Sequence, residues 1–338
     1  MHVTICYLSK RPVPPPLYGG GQRAMYWLGK ALIELGHKVT LIAQPGSHIP
    51  GAELRPWPKP HGSDYGWMRL IPDSTDILHL RSVPLVPMPK PYVLTIGGNG
   101  EPGQQFPPNT IFLSRSHAAL HGSTHFVYNG IDPAEYRCES ERGDYAVFLA
   151  KASWDVKNLP GAIEVCRRAG VELYVIGSRN WPFGLQRRLP VIRGVRYLGM
   201  LGQAEKIPLL ARARCLVFPV RWHEPFGIAV VEALASGCYV AATPYGALPE
   251  LVTVETGVLS RRASDLADAV RHPERFDPSA CVRRVTEGGF THIDMARRYL
   301  RYYEQVLCHG ELENNGQLPQ TAAGFDANKL LEWHCGKS

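Results

Sequence analysis

Two stretches of this chain repeat one order of elements, and that order leaves few folds open. Residues 2–8 (HVTICYL) are a short apolar run, a Pro/Gly-rich loop follows (KRPVPPPLYGGGQ), RAMYWLGKALIELG has helical spacing and stops at Gly36, and HKVTLIAQPG is a second strand-like run. A strand that reaches its neighbour through a helix lies parallel to it, because the connection must cross back over the sheet. Strands covered by helices on both faces read as unbroken apolar runs. DILHL, PYVLTI, IFLS and FVYN extend the first half as further strands. The pattern restarts with YAVFLA (strand), PGAIEVCRRAG (helix), VELYVIG and GVRYLG (strands), AEKIPLLARA (helix), CLVFPV (strand), a further helix and CYVAAT (strand). The expected class is α/β, with two parallel sheets.

A chain of 338 residues is too long for one ordinary core, since domains run to roughly 100–200 residues. Between Asn129 and Gly143 (NGIDPAEYRCESERG) turn formers and charges replace apolar periodicity, which marks a linker. The expected division is a first domain over 1–138, a second over 139–293, a helix over 294–310 (DMARRYLRYYEQVLC) and a peripheral polar tail over 311–338. Residues 50–75 show no period and are expected to be loop with short pieces of structure. Their Trp57, Tyr65 and Trp67 could stack on a sugar or cover a small core.

No run reaches the roughly 18 apolar residues of a membrane span, and the start reads as a first strand rather than a leader peptide. The eight cysteines lie far apart with no C-x-x-C, as expected of reduced thiols in a cytoplasmic protein. The net charge of +7 suits an anionic ligand, a membrane surface or nucleic acid. No aromatic-and-basic motif favours nucleic acid, and at most peripheral membrane contact is expected. The Arg187, Arg188, Arg193, Arg196 and Arg297, Arg298, Arg301 clusters read as solvated helix faces.

The chemistry concentrates in His223–Gly237, HEPFGIAVVEALASG. A buried strand delivers the chain to the carboxyl edge of a parallel sheet, where ligands bind in such folds. Pro225 stiffens the loop just before a helix opens at Phe226-Gly227, with Ile228 next in line. An uncapped helix amino end favours an anion, and Gly227 lets a phosphate approach the backbone. Glu232, a turn further in, leans back toward that end and can accept both hydroxyls of a ribose. Glu224, in the loop, can do the same for hydroxyls beyond the phosphates. The ligand read from this is a sugar nucleotide. The plainer alternative makes Glu232 a complement to the helix dipole and Glu224 a surface residue.

At these residues the chain resembles the retaining glycosyltransferases of family 4, whose GT-B fold places two Rossmann-like domains with parallel sheets face to face across a cleft. HEPFGIAVVE resembles that family's glutamate-x7-glutamate signature, SGCYVAATPYGALPELV continues its pattern, and the similarity extends over most of residues 1–308. The resemblance implies that Glu224 binds the donor sugar and Glu232 the ribose, that the first domain determines the acceptor, and that the last helix crosses back to that domain. FLAKASWDVKN supplies Lys151 and Lys157 where the family carries Gly-Arg and a later lysine. Two cations there would offset the charge on a departing diphosphate, though Lys151 lacks the fork of an arginine. Alternatively both are solvated lysines. YGGGQRA resembles the family's glycine loop, in which Gly20 and Gly21 would admit the donor phosphates or form a flexible turn. VYNGID resembles its hinge-side turn. Met200, after GVRYLG, joins the donor-binding set.

One departure stands out. Many members carry Thr-x-His after a first-domain strand, whereas PYVLTI runs into GGNG, so Gly97 stands where the histidine is expected. The backbone of Gly97–Gly100 and the Asn99 amide could take that place, or GGNG is a mobile turn. His79, His117, His121 and His125 read as ordinary loop or helix histidines.

The expected function is metal-independent, retaining transfer of a sugar from a UDP- or GDP-linked donor to a small-molecule or saccharide acceptor. No cofactor is expected besides the donor, since the chain offers no Asp-x-Asp pair in a plausible donor loop. A scaffold that binds the sugar nucleotide without turnover, or an epimerase on the same fold, are the alternatives.

Overall fold

The computed structural model describes residues 1–58, 65–178, 192–313 and 326–336. The chain divides into two compact units, one made of Met1–Asp132 with Gly289–Asp326, the other of Pro133–Gly288 with Ala327–Ser338.

The first unit holds a six-stranded sheet formed by β1 (His2–Tyr7), β2 (Lys38–Ala43), β3 (Glu53–Pro56), β4 (Ile77–Leu80), β5 (Tyr92–Thr95) and β6 (Thr110–Ile111), in the order β3-β2-β1-β4-β5-β6. Every pairing is parallel, with Val3 opposite Val39 on one side and Ile77 on the other. Strand order therefore reverses between β1 and β4, the place where parallel sheets open a crevice at their carboxyl edge. Helix α1 (Gly20–Glu34) buries Trp27, Leu28 and Leu32, and the short α2 (Arg115–Leu120) is capped by the Ser114 hydroxyl.

Two strand expectations need correction here. IFLS contributes only Ile111 to the two-residue β6, and FVYN pairs through a single bridge, Phe112 to Phe126. The apparently aperiodic 50–75 region contains β3, whose edge position leaves its side chains half-exposed and so hides any alternation. Trp57 and Trp67 are core residues packed with Cys6, Leu78 and Leu80, with Tyr65 against them.

The second unit repeats the plan with β7 (Tyr145–Leu149), β8 (Glu172–Ile176), β9 (Val195–Gly199), β10 (Cys215–Phe218), β11 (Tyr239–Ala242) and β12 (Gly257–Leu259), ordered β12-β11-β10-β7-β8-β9 and all parallel. Its reversal lies between β7 and β10. Around the sheet run α3 (Leu159–Ala169), α4 (Gln203–Arg212), α5 (Ile228–Ala235), α6 (Leu248–Leu251), α7 (Ala263–Arg271) and α8 (Pro278–Thr286). All of Ala229–Ala235 in α5 is buried, between the sheet and α8, which is why this helix is apolar all round apart from Glu232.

After α8 the chain returns to the first unit as α9 (His292–His309), opened by a capping box between Thr291 and Asp294. Tyr299 and Tyr303 of α9 are buried in the first unit's core. The tail is not merely peripheral. Leu331 N–H donates to Arg221 O (2.7 Å), Arg221 Nε donates to Leu331 O (2.8 Å), and the Tyr245 hydroxyl donates to Glu332 O (2.7 Å). Residues 327–336 thus lie on the loop after β10. Of the arginine clusters, Arg187 and Arg188 lie outside the described residues, and Arg196 pairs with Glu172.

Candidate functional site

In the second unit the loop between β10 and α5 carries the candidate residues at the carboxyl edge of the sheet. Glu224 Oε2 accepts from Lys157 Nζ at 2.6 Å and from the Trp222 indole at 2.8 Å. Lysine and glutamate are each 8% exposed at the side chain. The Lys157 ammonium also lies 4.5 Å from the Trp222 ring centroid, a cation–π contact. Two residues that the sequence places in separate roles thus form one buried ion pair. The Lys151 ammonium lies 4.6 Å over the exposed Trp154 ring.

Tight backbone contacts fix this loop. Gly246, at φ 61°, lies so close to Glu224 that a Cβ there would fall 2.3 Å from both its N and O atoms, and Ala247 N–H donates to Glu224 O at 2.9 Å. Gly227, at φ 99°, opens α5 with no side chain capping it and no acid in its first turn. Pro225, Phe226, Gly227 and Ile228 therefore present an amino end suited to an anion.

Glu232, one turn into α5, is 3% exposed. Its Oε1 accepts from Lys206 Nζ at 2.6 Å and from the Tyr136 hydroxyl at 2.8 Å, and that hydroxyl accepts from Gln203 at 2.8 Å. Burial, reinforced by the Glu232 carboxylate, pushes the Tyr136 phenol well above its ordinary range, so it stays a donor. Each glutamate of the pair thus has its own lysine. Removing one partner of such a pair leaves a buried charge uncompensated. Lys206, Tyr136 and Trp222 are the residues that sequence reasoning missed. A signal existed for Lys206: in AEKIPLLARA it sits on the stripe that buries Ile207 and Leu210, where a lysine needs a partner. Met200 follows β9, at the edge of the same sheet.

Gly20, Gly21 and Asn99 belong to the first unit. Gly20 and Gly21 start α1, which like α5 has no side-chain cap and no acid in its first turn, and Asn99 is buried in the loop after β5. The histidines there are built into the core. His79 bonds to Tyr303 through Nδ1 (2.7 Å) and to Thr95 through Nε2 (3.1 Å), and burial pushes its pKa down to about 3. His117 Nδ1 accepts from Leu113 N–H (3.2 Å), which leaves Nε2 to donate to Gly98 O (3.0 Å). His117 therefore anchors the GGNG loop. Among the described residues no cluster of three or more His, Cys, Asp or Glu could hold a metal ion, and no helix is long and apolar enough to cross a membrane.

Residues 146–272 match the profile of the family described as Glycosyl transferases group 1. The glycogen synthase of Mycobacterium tuberculosis (strain CDC 1551 / Oshkosh) is 30% identical over 173 residues, covering 47% of this chain and 41% of that protein. The D-inositol 3-phosphate glycosyltransferase of Corynebacterium aurimucosum is 36% identical over 118 residues, or 34% of this chain and 27% of that protein. The chain therefore spans well under half the length of these curated relatives. AviGT4, a glycosyltransferase involved in avilamycin A biosynthesis, superposes with a TM-score of 0.75 at 25% identity, covering 91% of this chain and 98% of that one. Anabaena Alr3699/HepE in complex with UDP and glucose shares the fold, with a TM-score of 0.66 at 15% identity over 90% of this chain and 100% of that one. The two Rossmann-like units are those of the GT-B fold, and the second carries a glycosyltransferase domain.

Proposed function

We propose that this chain is a retaining glycosyltransferase of family 4 that uses a UDP- or GDP-linked sugar and needs no metal ion. The observation that carries the reading is the pair of buried lysine-bound glutamates, Glu224 and Glu232, on either side of the uncapped amino end of α5. The diphosphate takes the backbone donors of Gly227 and Ile228, with Lys157 and Lys151 supplying positive charge. Glu232 accepts the ribose hydroxyls and is held in place by Lys206 and Tyr136. Glu224 orients the sugar. As the bond from the sugar's anomeric carbon to the phosphate oxygen breaks, the acceptor oxygen bonds to that carbon on the same face. The leaving phosphate oxygen takes the acceptor's proton, so no protein base is required. The chain works in the cytoplasm on a soluble or saccharide acceptor.

Calorimetry with nucleoside diphosphates tests the assignment. Glu232→Gln is expected to weaken nucleotide binding at least tenfold, whereas Glu224→Gln leaves it nearly intact and lowers turnover with a donor panel. Equal loss in both variants overturns the division of roles. Turnover is expected to survive excess chelator, and restoration of lost activity by magnesium or manganese would overturn metal independence. Donor-panel products separate transfer from epimer formation and from binding alone.

A further inference from the structure

The first unit holds a cavity of about 440 Å³ lined by none of the residues assigned to the donor. It lies at the edge of the sheet, where Phe126 bridges to Phe112 beyond β6. Arg115, Phe126 and Tyr128 line it together with Arg298, Arg301 and Tyr302 of α9. Its volume falls in the range of about 300–1,000 Å³ that takes a small molecule.

The arginines of α9 are thus divided, since Arg298 and Arg301 line the cavity and the exposed Arg297 does not. Arg298 is fixed in place. Its Nη1 donates to Gly289 O at 3.0 Å, and its guanidinium carbon lies 5.3 Å from the Tyr128 ring centroid. A Cβ on Gly289, at φ 80°, would fall 2.4 Å from Arg298 Nη2, so the glycine leaves the guanidinium its room. The Arg115 guanidinium lies over Phe126 at 5.9 Å. Among the described residues no acidic side chain joins this lining, and neither Arg298 nor Arg301 forms an ion pair. Cations gathered round one concavity repel each other and concentrate anions there.

The rings narrow the class of anion. Phe126 and Tyr128 have centroids 5.2 Å apart and planes at 55°, which does not offer the parallel faces that clamp a planar base. A sugar ring needs only one aromatic face beneath its C–H groups and turns its substituents outward, where a guanidinium fork matches a carboxylate, sulfate or phosphate. We propose that this cavity binds an anionic saccharide, with Phe126 and Tyr128 beneath the sugar and Arg298 and Arg301 on its acidic groups. The shared chemistry is a charged sugar, whether a single sugar phosphate or a unit of an acidic chain. The inference goes beyond the transferase reading and does not depend on it.

The test is calorimetry with trigalacturonate, glucose 6-phosphate, maltotriose and UDP, on wild type, Arg301→Gln, Arg301→Lys, Tyr128→Leu and Arg297→Gln. Wild type is expected to bind an acidic probe and to bind neutral maltotriose far more weakly. Arg301→Gln should weaken the acidic probe about tenfold, the loss of one charge-assisted bond, with the melting temperature unchanged because the side chain is exposed. Arg301→Lys, which keeps the charge without the fork, should fall between the two. Tyr128→Leu should weaken binding as well, and Arg297→Gln should not. Trigalacturonate held more tightly than glucose 6-phosphate assigns the site to an acidic chain, and the reverse order assigns it to a single sugar phosphate. Wild type that binds neither acidic probe, maltotriose bound as tightly as trigalacturonate, or equal losses in Arg297→Gln and Arg301→Gln would overturn the inference. So would UDP binding that falls in Arg301→Gln, since the cavity would then be a nucleotide site. UDP binding by wild type reports on the donor residues, so failure here leaves the transferase reading standing.

Discussion

Two histidines show how far environment decides a residue's role. His79 and His117 have the composition of candidate bases, yet both are buried and both are pushed down to about 3, by desolvation first and then by Arg81 or His121. The sign of the pH effect follows. From the ordinary 6.5 down to about 3, the unfolded chain binds a proton on each that the native chain refuses. Stability is therefore full above the unfolded value and falls as the pH drops through this window, by about 1.4 kcal/mol per pH unit per histidine. Urea unfolding of His117→Gln, whose amide can keep both bonds without titrating, is expected to show a visibly flatter decline between pH 6.5 and 5 than wild type. Equal slopes would show that His117 titrates normally.

At the scale of elements, a strand, a glycine-bounded loop and a helix aim Glu224, and the glycine belongs to a different connection. Gly246 admits the Glu224 backbone at a distance that no Cβ allows. Gly246→Ala must push the loop outward, and its positive φ adds strain of about 1–3 kcal/mol. The expected result is lost stability of that order and a fall in turnover at saturating donor that exceeds the fall in nucleotide affinity, because Glu232 sits on the helix rather than the loop. A variant with wild-type turnover would show that the loop position does not matter. This contact was legible as a glycine in TPYGALPE, but its partner was not.

At the scale of the whole chain, neither unit is continuous. Each takes back a segment from the end of the sequence: α9 joins the first, and residues 327–336 join the second. The latter lie along the loop that leads to Glu224, through Arg221, Tyr245 and the His223 amide, which donates to Ala327 O at 3.4 Å. A chain ending at Asp326 forfeits several such bonds, at about 0.5–1.5 kcal/mol each. It is expected to unfold about 2–4 kcal/mol more easily and to show a raised KM for donor. Identical urea midpoints would mean that the segment does not hold the loop.

The sequence by itself determined the class of fold, because apolar runs separated by helical stretches can only build parallel sheets, and it located the uncapped helix behind Glu-Pro-Phe-Gly. These are local signals, carried by period and by turn residues. It misjudged IFLS, FVYN and the tail, where short edge pieces carry no period and pairing partners lie far away in the chain. Only the tertiary structure decided what the charged residues face. Lys157 with Glu224, Lys206 with Glu232 and Arg81 beside Gly97 are pairings across 67, 26 and 16 positions of sequence. A side chain's electrostatic partner is set by which strands lie side by side, and strand order is a property of the packed sheet rather than of any one stretch of sequence.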